Sequence, residues 1–371
     1  GFIPIMITTT LNNLTIYSLA LPLTFLILLA FIKIHKSGYL ALFVLLSILL
    51  PLVHPIAFLV LILFLLYLLI CKSEDLKVGR LEKEAIFFFV FTTLLVEFLI
   101  YKEAFIKEGL SIVFQNIPSG LLDTYFLNIN LTDILIGLGI IPLLFALAGI
   151  FFGVFKQRNS SIVLLSSAML STMLLLLVKL INFNIGILLL AISATILSSI
   201  GLEKFFKYVE ITKIHKFKPY IIFLMLVLVV LTLVFPSLIN ANNVLNQGIN
   251  DNEFLALEWI KENTEKDSVI LSSAEEGNYI SAISNRKNII DKNFLLAENI
   301  DERYNDIQEF FKTTSITKAA NIMKKYDADY VYISKKTKKI YNRENFNYLE
   351  DKACFRKSYD IDGAEVYKLR C

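Results

Sequence analysis

Hydrophobic residues fall into long unbroken runs over the first 240 positions and into short periodic groups after them. Runs close to the ~20 residues that cross a bilayer as a helix lie near 16–34, 86–101, 133–155, 161–180, 184–202 and 220–240. The stretch 39–70 is too long for one crossing and carries Pro51, His54 and Pro55 at its middle, where proline breaks a helix, so it predicts a tight hairpin of two short spans. The expectation is a multi-pass α-helical membrane domain of about eight spans over 1–241, a linker at 242–250 and a small α/β domain over 251–371. In that last segment Phe254, Leu257 and Ile260 recur at helical spacing, as do Ile300, Tyr304, Ile307 and Phe311, and Ile316, Ala319, Met323 and Tyr326. Short β-rich runs separate them at 268–271, 288–290, 330–333 and 365–369.

Composition agrees with that division. The 371 residues are 56% hydrophobic and 19% charged, with a mean hydropathy of +0.63, which is more apolar surface than a soluble core buries. From Asn250 onward the balance changes to 20 Lys plus Arg and 22 Asp plus Glu, the mix of a solvated surface. The chain opens on Gly1 inside an apolar stretch, which reads as a fragment lacking its own beginning.

Charge sets the orientation. If Lys33 and Lys36 face the cytoplasm, alternation places thirteen Lys and Arg of the short loops inside and only Lys102, Lys107 and Lys179 outside. An even number of crossings then returns the chain to the outside, so the α/β domain is expected on the extracytoplasmic face of the cell membrane. The basic residues are sorted by loop rather than spread as a stripe, and no nucleic-acid footprint follows.

The chain has no phosphate loop, no GxSxG and no HExxH, and His35, His54 and His215 are scattered. Metal and triad chemistry are therefore not expected, and no cofactor is assigned. Ionisable groups at membrane depth are the remaining candidates. His54 at the hairpin tip, Glu97 near the outer end of its span and Lys179 at the outer end of another share one level. They form a candidate lipid-phosphate site, with snorkelling to the interface as the plain alternative. The external stretch 105–114 alternates as an amphipathic surface helix would. In the α/β domain Glu275, Glu276, Arg286, Asp291, Glu302, Arg303 and Tyr304 are polar-site candidates weighed against ordinary surface ion pairs, and Trp259, the one tryptophan, reads as core.

Two modifications are readable. Asn13 and Asn130 lie in N-glycosylation sequons on the outer side, whereas Asn159 lies in one on the inner side. Asp362-Gly363 predicts a two-residue type I′ hairpin, which sets Tyr359 opposite Val366, Phe355 opposite Arg370 and Cys354 opposite Cys371, within reach of a disulfide. Cys71, at an inner edge, is expected to stay reduced.

The order of these features resembles a known family. Thr8-Thr9-Thr10-Leu11-Asn12-Asn13-Leu14 leading into a span, Val53-His54-Pro55-Ile56 at the hairpin tip, and Leu257-Glu258-Trp259-Ile260-Lys261-Glu262-Asn263-Thr264 entering the α/β domain are similar to archaeal GT-C membrane glycosyltransferase-like proteins. That group is related to protein mannosyltransferases and to the catalytic subunit of oligosaccharyltransferase. The resemblance covers the chain as the C-terminal portion of a longer protein. It implies transfer of a sugar from a polyprenyl-phosphate donor at the outer membrane face. The family's catalytic carboxylates lie in its first large external loop, upstream of this segment, and its WWD signature is absent because Ile260 follows Trp259. Only His54 matches a recurrent family position, and neither Glu97 nor Asp133 is promoted to catalytic acid. A non-catalytic membrane protein whose outer domain binds a partner or polysaccharide is the alternative, and a transporter is third.

Overall fold

The computed structural model describes residues 3–11, 17–126, 131–245 and 248–371. The sequons at Asn13 and Asn130 lie outside the described residues. The chain forms two compact units. One comprises 1–106 and 125–247, the other 107–124 and 248–371.

Among the described residues, eight apolar helices of ten or more residues run through the first unit: α1 (Tyr17–Ile32), α2 (Tyr39–Val53), α3 (Ala57–Ser73), α4 (Arg80–Glu108), α5 (Ile140–Lys156), α6 (Ser160–Leu177), α7 (Phe183–Ile211) and α8 (Lys213–Asn242). Four of them, α4, α6, α7 and α8, are long and apolar enough to cross a membrane. Pro51 lies within the last turn of α2, and three residues later His54 caps the helix in extended conformation.

Two kinds of packing hold this unit. Phe31, Phe43, Phe64 and Phe89 bring α1 to α4 together through ring contacts, with centroids 4.9 Å apart for Phe31 and Phe64 and 5.3 Å for Phe64 and Phe89. Glycine joins α5 to α7. A Cβ on Gly149 would meet the Leu197 carbonyl oxygen at 2.3 Å, and one on Gly201 would meet that of Phe145 at 2.0 Å, so the two backbones touch only because both positions lack side chains.

The second unit is built on a five-stranded sheet of order β2-β1-β3-β5-β4. The strands are β1 (Val269–Leu271), β2 (Lys287–Asn288), β3 (Ala328–Ile333), β4 (Phe355–Ile361) and β5 (Ala364–Leu369). β1 pairs in parallel with β2 and β3, while β5 lies antiparallel between β3 and β4. Helices α9 (Asp251–Asn263), α10 (Ile300–Lys312), α11 (Ile316–Lys325) and α12 (Lys335–Ile340) accompany it. Leu257 and Ile260 of α9 pack with Ile270, Tyr332 and Val366 in one core, at whose edge Trp259 is half-buried beside Tyr359.

The structure corrects three expectations. Residues 242–245 are helical rather than linker, since no proline or glycine interrupts the stretch before Gly248. Asn250 is already the N-cap of α9, in a capping box with Glu253. The α/β unit also recruits 107–124 from the end of α4 and the segment after it, where α4 runs on to Glu108 before a 3-10 turn over Gly109–Phe114. In the hairpin, Asp362 and Gly363 take φ of 43° and 89° and Tyr359 faces Val366, but an irregularity between Lys357 and Tyr359 puts Phe355 opposite Leu369 rather than Arg370. Cys354 and Cys371 are joined by a disulfide with Cα atoms 4.7 Å apart, and Cys71 is a buried free thiol.

Candidate functional site

Polar side chains inside an apolar helix bundle are tolerated when each finds a partner. In α6 Ser166, Ser167, Ser171 and Thr172 all donate to carbonyl oxygens three or four residues back on their own helix, at 2.7–3.0 Å. Thr24 and Ser47 do the same in α1 and α2. Glu97 does not. Its side chain is 3% exposed, and among the described residues neither carboxylate oxygen has a hydrogen-bond partner, nor does the hydroxyl of Thr93 one turn earlier.

The three residues that the sequence places at one level have separate local roles. Nδ1 of His54 accepts the N–H of Ile56 at 3.0 Å, and its ring lies 4.6 Å from that of Tyr17. An accepting Nδ1 leaves the ring proton on Nε2. Lys179 follows the C-terminus of α6 in left-handed conformation, φ 61°, with its N–H on the Leu176 carbonyl and its side chain exposed. Glu97 lies within α4, which continues as a helix to Glu108. Its carboxylate makes no hydrogen bond to His54 or Lys179. On the other loops, Oδ1 of Asn159 caps α6 by accepting the N–H of Ser161.

In the α/β unit the candidates resolve mostly into structure. Glu276 is 2% exposed and sits in a cage of hydroxyls, accepting from Ser273 at 2.8 Å and from Ser334 and Thr337. Burial raises its pKa above the ordinary value of 4.5 against the opposing effect of these hydrogen bonds, and nearby Glu253 adds to the rise. Burial likewise raises the Tyr332 phenol, helped by Glu276. Arg286 closes the C-terminus of α9, donating to the carbonyls of Lys261 and Thr264 at 2.6 and 2.7 Å and to the Thr264 hydroxyl at 2.8 Å. Asp291 accepts the N–H of Asn293 in a local turn. Glu302 pairs with Lys325, and Arg303 donates to the Ile289 carbonyl. Glu275 stays half-exposed.

A set of contacts made by residues 107–119 is not visible in the sequence. Asn116, 2% exposed, donates its amide protons to the carbonyls of Phe294 and Ala297 at 3.1 and 2.8 Å. Asp301 accepts both the N–H and the hydroxyl of Ser119, and Lys107 pairs with Glu298. The loop segment is thereby stitched to the chain preceding α10. The cue was a lone Asn ahead of Ile117-Pro118, which by itself reads as a turn. Among the described residues no group of three or more His, Cys, Asp or Glu is placed to hold a metal ion.

No family model matches this chain, and no curated protein does. Solved archaeal oligosaccharyltransferases resemble it. The Archaeoglobus fulgidus enzyme tethered with an acceptor peptide containing the NVT sequon aligns at 15% identity over 96% of this chain and 50% of its own, with a TM-score of 0.47. The same organism's enzyme in complex with an inhibitory peptide and a dolichol-phosphate aligns at 16% identity over 95% and 50%, TM-score 0.45. The C-terminal globular domain of an oligosaccharyltransferase from that organism is matched over 99% of its length and 33% of this chain, at 18% identity and TM-score 0.27. The chain spans about half the length of the first two.

Proposed function

We propose that this chain is the C-terminal part of a membrane glycosyltransferase that uses a polyprenyl-phosphate-linked sugar at the outer membrane face. The observation that carries the reading is Glu97. A buried acid with no partner inside an apolar bundle is costly unless it serves a ligand, and here the neighbouring Thr93 hydroxyl is unpartnered as well. The His54 turn adds a fixed donor, since Nδ1 is committed to Ile56 and Nε2–H is left for a phosphate oxygen. Lys179 supplies the cation beyond α6. The resemblance in the residue phrases around Thr8, His54 and Trp259 supports the same class, with the catalytic carboxylate held outside this segment.

Eight apolar helices and the thirteen-to-three division of Lys and Arg support eight crossings with the α/β unit outside. A cysteine introduced at Lys336 reacts with an impermeant reagent added to intact cells, and cysteines at Arg80 or Lys213 do not. Labelling at 213 from outside overturns the orientation.

The site is tested by binding of a polyprenyl phosphate to the purified chain. His54→Ala and Lys179→Ala each weaken it without loss of fold. Unchanged binding in both leaves His54 as a turn cap and Lys179 as an interfacial lysine. No binding by the parent, together with capture of a polysaccharide or protein by the α/β unit, favours the non-catalytic reading.

A further inference from the structure

A second lipid-facing feature lies in the first unit, away from His54, Glu97 and Lys179. Helices α3 and α4 leave between them a cavity of about 570 Å³, within the range of small-ligand sites. Its walls are apolar. Leu65 and Leu68 line it from α3, and Phe87 and Val90 from α4; Leu65 is 50% and Phe87 72% exposed, so this surface has no protein cover. The loop joining the helices turns Leu76 and Val78 back into one end, fixed by the N–H of Leu76 on the Cys71 carbonyl at 2.8 Å.

At that end the chemistry changes. Leu65, Leu68 and Lys72 follow one face of α3 at spacings of three and four, and Lys83, Phe87 and Val90 follow one face of α4 at four and three. Lys72 belongs to the last turn of α3 and Lys83 to the first turn of α4, and both residues line the same end of the groove. Glu74 and Asp75 follow Lys72 in the loop but form no salt bridge with it, and the two acids beside Lys83 are engaged elsewhere. Glu82 accepts the N–H of Gly79 at 3.0 Å and lies 3.5 Å from His35, and Glu84 pairs with Arg80 at 2.7 Å. Among the described residues neither Lys72 nor Lys83 has a salt-bridge partner.

We propose that this groove binds an anionic membrane phospholipid, with its hydrocarbon chains along α3 and α4 and its phosphate between Lys72 and Lys83. Apolar walls ending in two unneutralised cations match the two ends of such a molecule, and basic pockets between membrane helices are where anionic headgroups collect. A transmembrane segment of another protein would cover the walls but offer no charge for the lysines. Lysines that merely reach toward water would give no headgroup preference.

The test uses the full chain in mild detergent, with native mass spectrometry after addition of phosphatidylglycerol or phosphatidylcholine. Phosphatidylglycerol is retained about tenfold better. The Lys72→Gln/Lys83→Gln variant loses that preference, whereas Lys33→Gln/Lys36→Gln, in another loop, keeps it. Equal retention of the two lipids by the parent, or an undiminished preference in Lys72→Gln/Lys83→Gln, overturns the proposal. A second measurement does not depend on that variant folding. In a Trp259→Phe background, Phe87→Trp places the single fluorophore on the wall. Quenching by brominated phosphatidylglycerol at lower mole fraction than by brominated phosphatidylcholine supports the site, and absence of quenching means that protein covers the groove.

Discussion

Glu276 and Glu97 are buried to nearly the same extent, one in each unit, yet only the first has donors around it. Ser273, Ser334 and Thr337 surround the Glu276 carboxylate, drawn from the turn after β1, the end of β3 and the start of α12. Their hydrogen bonds offset part of its desolvation, and the carboxylate in turn ties three segments together. Glu97 lies on one helix, and among the described residues no donor reaches either of its oxygens. Burial alone therefore does not identify an acid that ties a fold together; the donors within reach do.

The largest effect expected of that difference is at Glu276. Glu276→Ala leaves three buried hydroxyls without their acceptor and costs the α/β unit about 3 kcal/mol, read by denaturant unfolding followed through Trp259, which lies in that unit. A loss under about 1 kcal/mol would remove the contrast. Asn116→Ala provides a neutral counterpart. It removes two hydrogen bonds, of which the one to Phe294 leaves a carbonyl still held by the N–H of Ala297, costs about 1 kcal/mol, and raises hydrogen exchange in 112–122 before it affects the sheet.

The contrast also has a pH signature. Burial holds Glu276 above its ordinary value of 4.5, so between that value and its folded pKa the folded unit binds more protons than the unfolded chain. Its contribution is fully present below 4.5 and is lost as pH rises through the folded pKa, at no more than about 1.4 kcal/mol per pH unit. Unfolding free energies of the parent and Glu276→Gln, measured from pH 4 to 8, diverge in slope over that window. Identical slopes would mean that the cage keeps the carboxylate ionised. The smallest effect is at Glu97. Glu97→Leu breaks no hydrogen bond and removes a buried polar group, so the helical unit gains about 1 kcal/mol while polyprenyl-phosphate binding falls. Destabilisation by that variant would reveal a structural partner for the acid.

Much of this organisation is written locally. The apolar runs mark the helices because a 20-residue stretch without charge has few other places to go, and the Asp362-Gly363 turn is legible because a type I′ turn demands positive φ at both positions. The candidate site is less legible. The prolines around His54 mark it in the sequence, but its commitment to Ile56 is a matter of backbone geometry. Arg286 looks in sequence like any exposed cation, and only the approach of the α9 terminus turns it into a cap.

What the sequence determined by itself, then, is the division into an apolar helical part and a charged α/β part, the positions of the helices and the tip of the last hairpin, since each depends on residues within a turn or two of one another. Tertiary structure decided the membership of 107–124 in the α/β unit, the shift of register near Ser358, the cage around Glu276 and the groove between Lys72 and Lys83. Each of these depends on which groups arrive from distant or facing segments to meet a buried polar atom or leave an apolar wall uncovered, and no local pattern of residues carries that information.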